Sequence, residues 1–163
     1  MTLSQTNCQD RKKEIPVSIM LTSEQSNLSE GAEKINLQGA GTLKRDDCAS
    51  CWTVSYDETE ATGMQGTKTY LSLFDDQSVK LLREGKVSME VFFRKGGRFI
   101  SSLDTGYGVF DLNIITNEAG GKLSESGGEI FLSYAMGLAQ RDLVSTKVNV
   151  QIEARSEVDK LTN

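Results

Sequence analysis

Histidine is absent from this chain of 163 residues, and its absence excludes several classes of active site. A Ser-His-Asp triad, a Cys-His pair and an H-E-x-x-H zinc site all depend on imidazole, as does a histidine proton shuttle. An enzyme with this sequence would have to use carboxylates, lysine, tyrosine or thiols. We therefore predict no catalytic residues and a protein that is not an enzyme.

Cysteine is scarce, and Cys8, Cys48 and Cys51 are the whole complement. An odd number of thiols argues against a disulfide framework. A structural zinc site usually needs four nitrogen or sulfur ligands, and no histidine exists to complete such a set. We predict no metal site and no cofactor.

Long hydrophobic runs and an excess of basic residues are also missing. Runs such as residues 17–21 fall far short of the ~20 apolar residues of a membrane helix. The formal charge of -5 opposes binding to a phosphate backbone. The first 13 residues are polar and lack the apolar stretch of a signal peptide. We expect a cytoplasmic protein that binds neither membranes nor nucleic acids, and its oligomeric state stays open.

The chain does contain a hydrophobic pattern of period two. Alternating apolar residues put one apolar face on each of about ten short strands. The predicted strands cover residues 15–21, 35–43, 52–56, 69–73, 79–83, 87–93, 99–105, 110–116, 130–136 and 144–154. The single proline, Pro16, suits the start or an edge of the first strand, because it cannot donate to a ladder.

Glycine and aspartate separate these strands. The predicted turns are Asp75-Asp76, Gly96-Gly97, Gly120-Gly121, Gly127-Gly128 and the stretch 137–142. Short links favour antiparallel neighbours, because parallel strands need long crossover connections. Residues 75–83 have some helical periodicity, but this stretch is short and no long helix competes with the strands.

A meander of this kind removes its exposed edges by closing on itself. The fold prediction is therefore all-β: a single antiparallel up-and-down meander, closed into a lipocalin-like β-barrel of about 8 to 10 strands. Residues 13–155 form the barrel domain, between flexible tails at residues 1–12 and 156–163. Barrels of this size are filled by side chains or hold one small ligand.

Arg83 continues the period of Val79 and Leu81, which directs its side chain toward the barrel interior. A buried guanidinium needs a carboxylate partner or the anionic headgroup of a ligand. The favoured alternative is that Arg83 ends its strand just before Gly85 and extends to solvent.

Cys48 and Cys51 form a C-x-x-C motif within "DDCASCWTVSY", residues 46–56. A thioredoxin-type centre places this motif at a helix N-terminus, which lowers a thiol pKa. Here the motif joins two predicted strands and follows Asp46 and Asp47, whose charges raise a thiol pKa. We predict a hairpin turn, and a reversible disulfide between the two cysteines is left open.

Acidic residues occur in three further short motifs. Asp104-Thr105-Gly106 spells the D-T-G of aspartic proteases, but the chain has no second copy, so only a homodimer could supply the paired carboxylates. We interpret this triplet as a turn. Asp57-Glu58 and Asp75-Asp76 lie in polar stretches and are predicted to be solvated turns.

Four segments carry a resemblance to a known family. They are "KEIPVSIML" at residues 13–21, "VKLLREGKVSMEVFF" at 79–93, "TGYG" at 105–108 and "GGEIFLSYAM" at 127–136. Together they resemble the YwiB-like family of small bacterial proteins, over roughly residues 12–153. The resemblance implies a lipocalin-like, or calycin-like, barrel with no established activity. This chain has Gly106 where the family usually has proline, and the C-x-x-C motif is not part of the family pattern.

Two functions without catalysis follow from a barrel of this composition. One is a binding barrel whose interior takes a small hydrophobic or amphipathic ligand, and the other is a filled barrel that presents its surface to a protein partner. An enzyme ranks last. The predicted contacts for a small apolar ligand are Arg83, Met89, Phe93, Leu103 and Tyr134.

Overall fold

The computed structural model describes residues 13–27, 31–138 and 143–155. These residues form ten strands: β1 Glu14–Asn27, β2 Gly31–Asp46, β3 Cys51–Asp57, β4 Thr67–Phe74, β5 Val79–Gly85, β6 Met89–Phe93, β7 Arg98–Asp104, β8 Val109–Ser124, β9 Gly127–Leu138 and β10 Val144–Ala154. A 3-10 turn, Glu60–Thr62, lies between β3 and β4. The predicted tails 1–12 and 156–163 lie outside the described residues.

All ten strands belong to one antiparallel sheet in the order β6-β5-β4-β3-β2-β1-β10-β9-β8-β7. β1 lies between β2 and β10, so the first and last strands of the chain pair with each other. This order confirms the predicted all-β, up-and-down meander. Among the residues that the structure describes, no helix is long and apolar enough to cross a membrane.

The barrel is nearly closed, and its two edge strands meet at what we call the β6–β7 seam. Across this seam the described residues form a single backbone bridge, in which Ser88 and Asp104 exchange hydrogen bonds of 2.9 and 3.0 Å. The Ser101 hydroxyl also donates to the Glu90 carbonyl at 2.6 Å. The seam therefore has far fewer backbone hydrogen bonds than the other strand boundaries.

One hydrophobic core fills the barrel between its walls. Alternate residues of each strand face inward, so cross-strand partners such as Leu43, Val54 and Leu71 form a continuous buried layer. The buried core residues are Val17, Ile19, Leu43, Val54, Leu71, Leu73, Val79, Leu81, Val91, Phe93, Ile114, Ala119, Ile130, Leu132, Val150 and Ile152. Burial of these side chains supplies the main apolar stabilisation of the fold.

The sequence prediction is wrong at Gly120-Gly121, which lies inside β8 rather than in a turn. A β-bulge between Thr116 and Glu118 shifts the register by one residue. The bulge changes which residues of β8 face the barrel interior. A prediction based on strict alternation therefore fails beyond Thr116. The predicted turn at 137–142 is also displaced, because residues 137 and 138 belong to β9 and residues 139–142 lie outside the described residues.

The two glycines of β8 permit close backbone contacts. A Cβ atom on Gly121 would lie 2.2 Å from the Glu129 carbonyl oxygen on β9, and one on Gly120 would lie 2.5 Å from Gln77 Oε1. Gln77, from the β4–β5 turn, accepts a hydrogen bond of 3.0 Å from the Gly121 amide. This side chain links two strand pairs that are far apart in the sheet order.

Candidate functional site

A pocket opens where β3 separates from β2. The ladder between these strands ends at the Thr42–Ser55 pair, while β2 continues to Gly31 paired only with β1. The space left beside the end of β3 has a volume of about 200 Å³. We call it the lateral pocket, and its walls include Ile19, Leu21, Leu37, Tyr56, Glu58 and Thr62. It connects the barrel exterior to buried polar groups.

Two glycines of β2 shape this pocket in opposite ways. A Cβ atom added to Gly39 would meet nothing within 4 Å, so the missing side chain contributes directly to the open volume. A Cβ atom added to Gly41 would lie 2.3 Å from the Ser55 carbonyl oxygen and 2.7 Å from Ile19 Cδ1. Gly41 therefore permits close packing, whereas Gly39 leaves space.

Glu58 forms the inner wall of the lateral pocket, with only 2% of its side chain exposed. Its Oε1 accepts a hydrogen bond of 3.0 Å from the Thr62 hydroxyl, and its Oε2 accepts one from the Thr69 hydroxyl. The prediction of a solvated turn at this residue is wrong. A buried carboxylate needs several donors, and Thr69 and Arg83 lie too far along the chain for the local sequence to reveal them.

Arg83 points into the barrel and pairs with this carboxylate. Its Nε lies 3.7 Å from Glu58 Oε2 and donates to Thr69 Oγ1 at 3.3 Å. The solvent-directed alternative is therefore wrong, and the carboxylate-partner alternative agrees with the structure. Among the described residues, the two terminal nitrogens of Arg83 donate no hydrogen bond.

Tyr134 and Thr146 are cross-strand partners on the opposite wall of the barrel. Burial raises the pKa of Tyr134, and the nearby Arg83 charge acts in the opposite direction. Thr146 is 2% exposed and lies beside the Tyr134 phenol, yet no described group forms a hydrogen bond of good geometry with its Oγ1. A buried hydroxyl in this state costs free energy unless something else satisfies it.

Tyr56 completes the arrangement next to the lateral pocket. Burial, assisted by the Glu58 charge, raises the pKa of Tyr56 to about 12. Both partly buried phenols are therefore protonated at neutral pH and are able to donate hydrogen bonds. We define the luminal polar cluster as Tyr56, Glu58, Thr69, Arg83, Tyr134 and Thr146.

The structure brings together four of the five predicted ligand contacts. Met89 is the cross-strand partner of Arg83, and the Phe93 and Tyr134 rings pack with their centroids 4.8 Å apart. Leu103 is not part of the hydrophobic core: it pairs with Phe110 on β8, is only half-buried and, through the Ser88–Asp104 bridge, lies across the β6–β7 seam from Met89.

The sequence prediction missed Tyr56, Glu58, Thr69 and Thr146 as members of a site. A weak signal existed for three of them, because Tyr56, Thr69 and Thr146 occupy inward positions of alternating strands where most residues are apolar. Glu58 follows the end of β3 and continues the period of Val54 and Tyr56, but its charge and its acidic neighbour favoured a solvated turn. Its burial follows from the fold of the segment that includes the 3-10 turn.

The C-x-x-C motif lies in the predicted β2–β3 hairpin turn, and it does not contain a disulfide between its two cysteines. Cys51 is a free, buried thiol, with its Sγ 3.8 Å from Thr53 Oγ1. Burial raises the pKa of Cys51, and the charge of Asp46 adds to this effect. These are properties of a structural thiol, since reactive cysteines have a lowered pKa.

Arg45 fixes the conformation around this hairpin. Its Nη1 and Nη2 contact the two carboxylate oxygens of Asp75 at 3.0 and 3.2 Å, and its Nε contacts Asp47 at 3.0 Å. The guanidinium also lies over the Trp52 ring, 5.8 Å from its centroid. These contacts hold neighbouring turns together and leave no open site.

The acidic D-T-G motif has a structural role. Asp104 Oδ1 accepts from the Gly106 amide at 2.9 Å, which confirms the predicted turn at D-T-G. Gly106 has φ of +85°, a conformation that proline cannot adopt, so this turn differs from one with proline at that position. Within the described residues, no group of three or more acidic or cysteine side chains could hold a metal ion.

A larger groove of about 1190 Å³ crosses the outer surface near the ends of β8 and β9. Its walls include the exposed side chains Met20, Gln38 and Glu129. It is wide and open, and it does not include the luminal polar cluster. The lateral pocket is therefore the better candidate for a specific ligand.

Known proteins share this architecture. Residues 19–150, most of the chain, match the family described as Domain of unknown function (DUF1934). This chain belongs to the DUF1934 family. The crystal structure of the ywiB protein from Bacillus subtilis is similar to this DUF1934 chain over 93% of this chain and 99% of its own, with a TM-score of 0.78 and 21% identity. This match confirms the YwiB-like resemblance and, at this identity, supports the fold alone. No curated protein matches the chain.

Proposed function

We propose that this DUF1934 protein is a non-enzymatic, cytoplasmic barrel that binds a small ligand in the lateral pocket. The observation that carries the proposal is the pocket itself, whose apolar walls, Ile19, Leu21 and Leu37, lead to the buried Tyr56 and Glu58. Apolar walls with a few convergent polar groups are typical of small-molecule sites. No cofactor or metal is part of this proposal.

The size of the pocket limits the ligand. Drug-sized ligands usually occupy ~300–1,000 Å³, so 200 Å³ corresponds to a smaller molecule. A cavity of ~150 Å³ can hold benzene, which gives a scale of one ring with a small substituent. Long fatty acids and isoprenoids are too large for this pocket unless it widens.

Gly39→Leu tests the proposal by filling the pocket. The position has open space and a backbone conformation outside the positive-φ region, so the added side chain should cause little strain. We expect native mass spectrometry of protein purified from its own host to show a bound small molecule in wild type and a loss of at least ~90% of that species in the variant. Ala32→Leu adds the same side chain to an exposed position of β2 outside the pocket and serves as the control.

Only unliganded mass in the wild-type protein, together with no thermal shift across a panel of small aromatic and aliphatic compounds, would contradict ligand binding. Equal occupancy in wild type and Gly39→Leu would place any ligand elsewhere. The circular-dichroism melting curve of each variant shows whether its fold is retained.

A second candidate, a surface for a protein partner, is supported by exposed apolar side chains on β7 and β8. Ile100 is 67% exposed, Val109 is 65% exposed and the Tyr107 side chain is fully exposed. Affinity capture from host lysate with wild type and with the Ile100→Ser, Val109→Ser double variant tests this role. A partner retained equally by both proteins would exclude this surface.

A further inference from the structure

We infer that the luminal polar cluster holds a neutral oxygen acceptor of the ligand, such as an amide or ketone carbonyl, and that it discriminates against carboxylates and phosphates. This inference rests on the proposed function and names the ligand class of the same site. The lateral pocket, lined by Tyr56 and Glu58 of this cluster, takes the apolar part, and the polar part extends past this lining toward Arg83, Tyr134 and Thr146.

The first argument is the surplus of donors inside the barrel. Among the described residues, the buried side-chain atom without a hydrogen bond of good geometry is Thr146 Oγ1, while Arg83, 22% exposed, donates only through its Nε. Tyr134 adds a protonated phenol beside Thr146. A guanidinium group only donates and a hydroxyl group can donate, so an acceptor is the one kind of group that Arg83 and Thr146 can both bind.

The second argument is charge balance. Glu58 already supplies a negative charge to the inward-pointing, 22% exposed Arg83, with Arg83 Nε 3.7 Å from Glu58 Oε2. A ligand carboxylate would bring a second negative charge next to a carboxylate that is 2% exposed. Like charges in a poorly solvated interior repel strongly, while a carbonyl oxygen accepts the same hydrogen bonds without this penalty.

The competing occupant of this position is a buried water, which commonly satisfies groups such as Thr146. Water and a carbonyl oxygen make the same kind of hydrogen bond, but only the carbonyl is attached to an apolar body that needs the lateral pocket. A test must therefore vary the polar group of a probe while its apolar body stays constant.

Toluene, benzamide and benzoate are suitable probes because they have a common ring and differ in the polar group. We would titrate each into the full chain, refolded from denaturant to remove bound molecules, and follow the backbone amides of Tyr134 and Thr146 by NMR. We expect benzamide to bind about tenfold more tightly than toluene or benzoate, the scale of one good hydrogen bond to a charged group.

Two variants separate the hydrogen bonds from the charge. Glu58→Gln removes the negative charge but keeps an acceptor for Thr62 or Thr69, so the preference should shift about tenfold toward benzoate. Glu60→Gln, an exposed residue on the adjacent 3-10 turn, is the matched control and should leave all affinities unchanged. Thr146→Val is nearly isosteric. It should weaken the binding of benzamide several-fold and leave the binding of toluene unaffected.

Each remaining outcome has a definite meaning. Toluene binding as tightly as benzamide, with both blocked by Gly39→Leu, would retain the proposed pocket and overturn the polar assignment. Tighter binding of benzoate than of benzamide to wild type would overturn the neutral-acceptor class. Failure of all three probes to bind would reject the proposed function, and this inference with it.

Discussion

At the scale of single residues, the main feature is a carboxylate in a barrel interior that is otherwise largely apolar. Glu58 is almost fully buried, and it accepts hydrogen bonds from Thr62 and Thr69 while pairing with Arg83. Breaking a buried ion pair by removing one partner typically costs ~3–5 kcal/mol. Replacing the whole group with apolar residues often costs little, so the ion pair by itself is weak evidence for stability.

The Cys51 thiol provides a prediction at the same scale. Burial raises its pKa and also blocks access, so we expect iodoacetamide at pH 8 to modify Cys51 at least ~10-fold more slowly in the native protein than in urea. A Cys8→Ser, Cys48→Ser background restricts labelling to this one thiol, and mass spectrometry follows the reaction. Rapid native labelling with a midpoint below pH 7 would show a redox-type cysteine instead.

At the scale of secondary-structure elements, the β6–β7 seam is the weakest boundary of the barrel. Ser88 and Asp104 direct their backbone N–H and C=O groups across the seam. Every second residue of a strand directs these groups to the same side, so those of Glu90, Ile100 and Ser102 also point into the seam. The described strands form no ladder there beyond the one bridge. Inward residues of β7, such as Phe99, are only half-buried as a result.

Amide hydrogen exchange tests this weakness. We expect the amides of Glu90, Phe92, Ile100 and Ser102 to exchange at least ~100-fold faster than that of Val91, because Val91 alternates with them and directs its amide toward β5. NMR detection after transfer to deuterated buffer gives each rate. Equal protection of the seam amides and Val91 would mean that the barrel is fully closed in solution.

The strands and turns of the structure show which parts of the sheet the sequence pattern predicts. The period of two predicts all ten strands, and the hairpin at Cys48 and Cys51 is confirmed. The same reading places Gly120-Gly121 in a turn, because a bulge at Thr116 changes the phase of β8. A bulge depends on how two strands pair, so alternation within one strand does not reveal it.

At the scale of the whole molecule, pairing of β1 with β10 makes the barrel a single cooperative unit. Local unfolding of one wall exposes the common core and the luminal polar cluster together. Groups buried in that cluster therefore couple their protonation to the global free energy of unfolding.

Tyr56 makes this coupling measurable at alkaline pH. Burial raises its pKa from the ordinary 10.0 to about 12, so between these values the folded state keeps a proton that the unfolded state has lost. The free energy of unfolding should fall as pH rises through this window, by roughly 2 to 3 kcal/mol in total, and the contribution is fully present below pH 10.

Urea denaturation at several pH values from 9 to about 11.5 checks the slope. Tyr56→Phe should show a shallower decline than wild type, while Tyr107→Phe, which changes a fully exposed ring, should follow wild type. Parallel curves for wild type and Tyr56→Phe would show that this phenol titrates alike in the folded and unfolded chains.

The sequence by itself determined the all-β class, the approximate number and order of strands and the inward position of Phe93 and Tyr134. These follow from alternation, turn residues and the need to bury one face of each strand. The tertiary structure decided the partner of Arg83, the burial of Glu58 and the open volume beside Gly39. These features depend on which distant segments meet across the barrel, and local periodicity carries no information about such contacts.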